Sequence, residues 1–183
     1  MNKLSGKNIG VLCGGWSDER PVSLDSGKSA HESLLGNNLN AFIFDFQYDD
    51  IDLLSKFIKS NNIDLVLNLI HGSGGEDGLV QSYLDRLSIK YVGSNSKSSK
   101  LSFNKVHTKE IWLRNKLKTP NYLKLSDNIS SKDIKEMFDE KFILKPCESG
   151  SSVGIKIFDS ANFYSSSCAD ILKKLSLNSA NVH

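Results

Sequence analysis

The residues that could do chemistry in this chain stand beside glycine-rich turns. Lys145 closes the apolar run Phe142-Ile-Leu144 and precedes Pro146 and the loop Glu148-Ser-Gly-Ser-Ser-Val-Gly154. Glycines at 150 and 154 permit positive φ, and Ser151 and Ser152 add hydroxyls to the backbone N–H groups. Such a loop, with a lysine at its root, can fold over an anion. It is not a Walker loop, because no Gly-Lys-Ser/Thr and no helix follows directly. The other reading is an ordinary solvent loop with Lys145 merely exposed. Glu19 and Arg20 follow Gly14-Gly15 and lie at the mouth of a site, or else they cap the first helix and complement its dipole. His71 opens the run His71-Gly-Ser-Gly-Gly-Glu-Asp-Gly78. An imidazole there can donate a hydrogen bond or take a proton near neutrality, or simply fix the loop. Glu76 and Asp77 are better read as capping the next helix. Lys105 stands near a helix start, where a cation is unfavourable unless something anionic is close.

Elements must bring these residues together. Residues 9–13 form a short apolar strand that ends in the glycine turn, and a helical pattern runs on to about Leu35. Strand, turn and helix open an α/β unit, whose ligands sit beyond the carboxyl ends of the strands. A second strand is expected at 41–45, a helix at 51–58 ending at Asn61-Asn62, and a third strand at 63–70. The third strand is apolar on both faces, as in parallel sheets, and feeds directly into His71. A helix at 79–87 and a strand at 89–92 follow, then a polar turn at 93–99 that marks a boundary between lobes. Beyond it the pattern predicts one helix over 101–117, a break at Pro120 and a strand at 122–125. A helix at 130–138 capped by Ser130, a hairpin built on Lys145 and a helix at 162–175 complete the chain, with a frayed end. The GG turn is not a full GxGxxG, so a dinucleotide reading is weak.

Composition narrows the class. The chain has 183 residues, 39% hydrophobic and 24% charged, which suits a globular protein of one or two small domains. A net charge of +2 without an arginine cluster does not favour nucleic acid. No stretch is long enough to span a membrane, and no signal segment is read. Cys13, Cys147 and Cys168 are odd in number and scattered, as reduced cytosolic thiols are, and show no metal-ligand spacing.

Taken together, the loops resemble one family. Val11 to Leu24 with Ser26-Gly27 resembles the N-terminal signature of D-alanine–D-alanine ligases, and the run from His71 to Gly78 resembles their second signature. Tyr91-Val-Gly-Ser94, Asn104-Lys105 and Trp112 resemble the entry to their central domain. Lys145-Pro146 with Gly150 to Gly154 resembles their ATP-covering loop. The motifs come in the right order between residues 9 and 155, which is more specific than any one of them. The resemblance implies an α/β fold: a parallel-sheet N-terminal (pre-ATP-grasp) domain over 1–95, then the first, α+β part of an ATP-grasp domain over 96–183. It implies ATP-dependent joining of D-alanine for peptidoglycan precursor synthesis through a D-alanyl phosphate, in the cytoplasm. Glu19 would hold the ammonium of the first D-alanine and help fix the Ser151 hydroxyl. His71 would line the same subsite. Lys105 and Lys145 would bind nucleotide phosphates, with Ser151 anchoring the lid and Ser152 and Val153 offering backbone N–H groups.

The departures are also informative. Asn104 stands where the family usually has Asp, and Cys147-Glu-Ser149 differs from the common residues. Family members continue beyond the hairpin with a lid, an Asp, Glu and Asn set holding two Mg2+ ions, and a catalytic Arg. No counterpart follows Gly154, so the expectation is an N-terminal portion that is inactive alone, with magnesium ligands supplied from elsewhere and a homodimer when complete. A non-catalytic module that keeps the first D-alanine subsite is the alternative. The residues that choose a second substrate (D-alanine, D-lactate or D-serine) lie outside the matching motifs.

Overall fold

A computed structural model describes residues 4–47, 49–124, 134, 136–138, 141–150 and 154–159. It divides into two compact units. One holds the described residues up to Thr108 together with Glu148 to Gly150, and the other holds those of Lys109–Cys147 and of 154–159.

The first unit is a parallel four-stranded sheet in the order β2-β1-β3-β4. Its strands are β1 (Asn8–Gly14), β2 (Asn40–Phe46), β3 (Leu65–Asn68) and β4 (Lys90–Val92). β1 pairs with β2 from Asn8↔Asn40 to Gly14↔Phe46, and with β3 from Ile9↔Leu65 to Leu12↔Asn68. Every residue of β1 from Ile9 to Gly14 is buried, as a central parallel strand covered on both faces requires. The cover comes from α1 (Arg20–Gly36), α2 (Ile51–Ser60) and α3 (Leu79–Arg86), and α4 (Ser96–Phe103) packs against α3. α1 buries only Ser23 and Gly27, one turn apart. A methyl on Gly27 would lie 2.4 Å from Cys13 Cβ, so the helix approaches β1 through its smallest residue. The larger core packs around Leu12, Phe46, Leu54, Ile58, Val66 and Leu84. α2 presents Leu54 and Ile58 to that core, and Asp50 caps it by accepting from the N–H groups of Asp52 and Leu53 at 2.8 and 3.2 Å.

The parallel α/β reading holds, but local expectations shift. The third strand occupies only 65–68 of the expected 63–70. The polar stretch 93–99 is not all turn, because Asn95 accepts from Ser98 N–H and starts α4 at Ser96. The single helix expected over 101–117 is two. Asn104 is extended (φ −82°, ψ 109°), and α5 (Lys105–Arg114) begins after it. The Asn104 side chain accepts from His107 N–H at 3.0 Å, so the residue ends one helix and caps the next.

In the second unit β5 (Lys141–Leu144) and β6 (Lys156–Asp159) pair antiparallel, as a hairpin should. Phe142 stacks on Phe158 and on Phe138, with ring centres 5.4 and 5.7 Å apart. Residues 121–124 form no strand, contrary to expectation. There Lys109 Nζ donates to Thr119 Oγ1 and Pro120 O at 2.7 and 2.9 Å and lies over the Tyr122 ring, which ties the segment to α5 without a ladder. Ile134, Glu136 and Met137 are helical, while Ser130, Leu125 and the segment 162–183 lie outside the described residues. Among the described residues no helix is long and apolar enough to cross a membrane.

Candidate functional site

Parallel strands deliver their following loops to one edge, and β1 and β3 are neighbours. Their loops are locked together by two serines. Ser23 Oγ, fully buried on α1, accepts from Gly14 N–H at 2.8 Å and donates to Leu69 O at 2.6 Å. Ser17 Oγ donates to His71 O at 2.7 Å and accepts from Glu19 N–H at 3.2 Å. Glu19 and the His71 loop therefore do share one edge of the sheet.

Glu19 is 8% exposed, and although it occupies the N-cap position of α1 its side chain makes no capping hydrogen bond. A methyl on Gly72 would fall 2.8 Å from Glu19 Oε2 and 2.9 Å from Ser17 Oγ, and Gly72 has φ +70°. A methyl on Gly150 would fall 2.9 Å from the same carboxylate oxygen. Glu19 thus lies against the backbone of both the second and the fourth motif. Arg20 does different work: its guanidinium grips Asp45 at the end of β2 with two bonds of 2.7 Å and donates to Gly15 O at 3.2 Å. That hydrogen bond holds the Asp45 carboxyl below its usual range, against burial, with Gln47 assisting.

The second loop is shaped by amides. Gly75 O accepts from Asn68 Nδ2 at 2.9 Å and from Gln81 Nε2 at 2.7 Å. Gln81 Oε1 is buried with no hydrogen-bond partner among the described residues. Asp77 accepts from Gly74 and Leu79 N–H at 2.8 and 3.0 Å, which is the expected capping role. Glu76 caps nothing; its Oε1 is 3.9 Å from His71 Nδ1. Beside them an open cleft of about 330 Å³ is lined by Asn68, His71, Glu76, Gln81, Ser94 and Ser99, among others. His71 is half-buried at this cleft.

Lys105 is the first residue of α5, and its Nζ donates to Ser149 O at 2.6 Å. The carbonyl supplies part of the negative character that a cation at a helix start needs. Asn104 Nδ2 donates to Glu148 Oε1 at 2.7 Å. Lys145 belongs to the second unit, where it is exposed at the end of β5. Ser151, Ser152 and Val153 lie outside the described residues. Sequence reasoning missed Ser17, Ser23 and the Asn104–Glu148 bond. The serines were visible only as members of a motif, since nothing local says which serine faces a loop 46 or 54 residues away. Among the described residues no group of three or more His, Cys, Asp or Glu could hold a metal ion.

No protein-family model matches the chain. Curated relatives do: it is 38% identical over 159 residues to D-alanine–D-alanine ligase B of Xanthomonas campestris, across 84% of this chain and 49% of that protein. The crystal structure of the Bacillus anthracis D-alanine–D-alanine ligase superimposes with a TM-score of 0.74 at 30% identity, covering 93% of this chain and 54% of that one. The structure of the same enzyme complexed with ATP gives 0.69 at 29%, covering 87% and 53%. The chain spans about half the length of the relatives it matches. In sequence and in fold, this chain is a homologue of the D-alanine–D-alanine ligases over that half.

Proposed function

We propose that this chain carries the first-substrate subsite and part of the nucleotide site of an ATP-dependent D-alanine–D-alanine ligase. The carrying observation is the approach of the Glu19 carboxylate to the backbone at Gly72 and Gly150, with His71 at the adjacent cleft. The resemblance gives Glu19 the ammonium of the first D-alanine, and its carboxylate lies against the backbone of both the second and the fourth motif. Glu19 then holds the first D-alanine and His71 orients it. By the resemblance Lys105, Lys145 and the loop at Ser151, Ser152 and Val153 serve the phosphates of ATP, the ligand with which the B. anthracis relative is complexed.

In this reading a D-alanine carboxylate oxygen attacks the γ-phosphorus and ADP leaves. The amine of a second D-alanine then attacks the acyl carbon and phosphate leaves. Charge spreads over the transferring group, and lysines and fixed N–H donors stabilise it. The described residues do not fit a magnesium site.

Calorimetry of D-alanine and ATP binding to the purified chain tests this. Glu19→Gln is expected to weaken D-alanine and spare ATP. Lys145→Ala is expected to do the reverse, by about 1.5–3 kcal/mol or roughly 10- to 150-fold. Equal loss of both ligands from either variant contradicts the roles, and no binding of D-alanine by the unaltered chain overturns the reading.

A further inference from the structure

We propose that Asn104 and Glu148 are a positioning pair that seats the loop at 148–150 so that Gly150 closes on the Glu19 carboxylate. Three contacts hold this segment. Asn104 Nδ2 donates to Glu148 Oε1 at 2.7 Å, Lys105 Nζ donates to Ser149 O at 2.6 Å, and Gly150 approaches Glu19 so closely that a methyl would lie 2.9 Å from Oε2. They engage consecutive residues, and the first two donors are consecutive as well. The break in the helix at Asn104 makes this possible, because the residue leaves the helical path and turns its amide toward the loop.

The pair also accounts for two departures from the ligase pattern. Aspartate at 104 would set a carboxylate against that of Glu148, where like charges disfavour each other and an ionised side chain has no donor to offer. An amide supplies the donor instead, so Asn at 104 and Glu at 148 belong together. Either acid or amide at 104 can cap α5, since the cap uses Oδ1 and only the latch uses Nδ2. Capping therefore does not explain the asparagine, whereas the contact with Glu148 does.

The inference rests on the proposed function only for the purpose of seating Gly150, and the test separates the two. Hydrogen exchange of peptides covering 146–150 is measured on the 183-residue chain without ligand, beside D-alanine binding by calorimetry. Asn104→Asp keeps the cap and removes the latch, so exchange at 146–150 should quicken about tenfold while global stability holds. Glu148→Ala should do the same from the loop side, leaving α5 untouched. Glu148→Gln alone keeps an acceptor and should change little. Asn104→Asp with Glu148→Gln reverses the bond's polarity and should restore both protection and D-alanine affinity. Wild-type exchange in N104D and E148A, or failure of the double variant to restore it, overturns the pair. If the unaltered chain binds no D-alanine, the ligase reading falls while the exchange result still decides the pair.

Discussion

Ser23→Ala should damage this protein more than its single lost oxygen suggests. The hydroxyl is fully buried and serves two backbone groups, accepting from Gly14 N–H at 2.8 Å and donating to Leu69 O at 2.6 Å. Alanine leaves both without it in a space too small to readmit water freely. An orphaned buried polar group costs about 1–3 kcal/mol, and a carbonyl with a second lone pair sits at the lower end. The sum is about 2–4 kcal/mol. At roughly 2–4 °C per kcal/mol for a chain of this length, the melting point should fall by about 4–16 °C. Urea unfolding followed by far-UV circular dichroism gives the free energy, with the m-value checking that the unfolded state has not changed. Ser17→Ala is the internal comparison. Its partners lie in a half-buried site that water can reach, so its loss should be about 1 kcal/mol or less. A Ser23→Ala loss below about 0.5 kcal/mol at constant m would refute the claim that this hydroxyl joins the loops.

Other outcomes follow from the same geometry. Gly72→Ala meets both a positive φ of +70° and the Glu19 carboxylate at 2.8 Å, so D-alanine affinity should fall at least tenfold in calorimetry, and near-normal affinity would place the subsite elsewhere. The Arg20–Asp45 pair lowers a carboxyl from an ordinary value near 3.8, so its contribution is present above that pH and is lost as pH falls through the lower folded value. The stability gap between the unaltered chain and Arg20→Gln should therefore narrow below about pH 4 in acid titrations, and a gap that widens there refutes the assignment. Burial raises the Cys13 thiol above its ordinary value, with Asp45 adding to the effect, while Cys147 is exposed. Iodoacetamide at neutral pH should modify Cys147 well before Cys13, as read by site-resolved mass spectrometry, and equal rates in the folded chain would contradict the buried placement.

Much of this was legible in the sequence, for identifiable reasons. β1 is a mostly apolar run that ends in Gly14, and β3 lies in a mostly apolar run that leads into His71 and Gly72, so strand, turn and the edge carrying Glu19 and His71 followed from pattern alone. Asp77 was readable because capping is local. The break at Asn104 was not, since the pattern over 101–117 reads as one helix and shows neither the bond from Asn104 to Glu148, 44 residues on, nor the cap that Asn104 gives His107. The stretch 121–124 misled because Tyr122 and Leu123 favour strands, whereas Lys109 holds the segment against α5. Arg20 could be placed at the sheet edge but not matched to Asp45, because register between β1 and β2 is a tertiary fact.

The two serines that join the motif loops have a consequence for acid–base experiments. Hydroxyls do not ionise in the range where proteins stay folded. The amides of Asn68 and Gln81 that hold Gly75 O do not either. The clamp behind Glu19 and His71 is therefore proton-silent, and its geometry does not depend on pH through any of these four side chains. A pH profile of ligand binding at this edge should then be undistorted by protonation of the hydroxyls and amides that hold the loops.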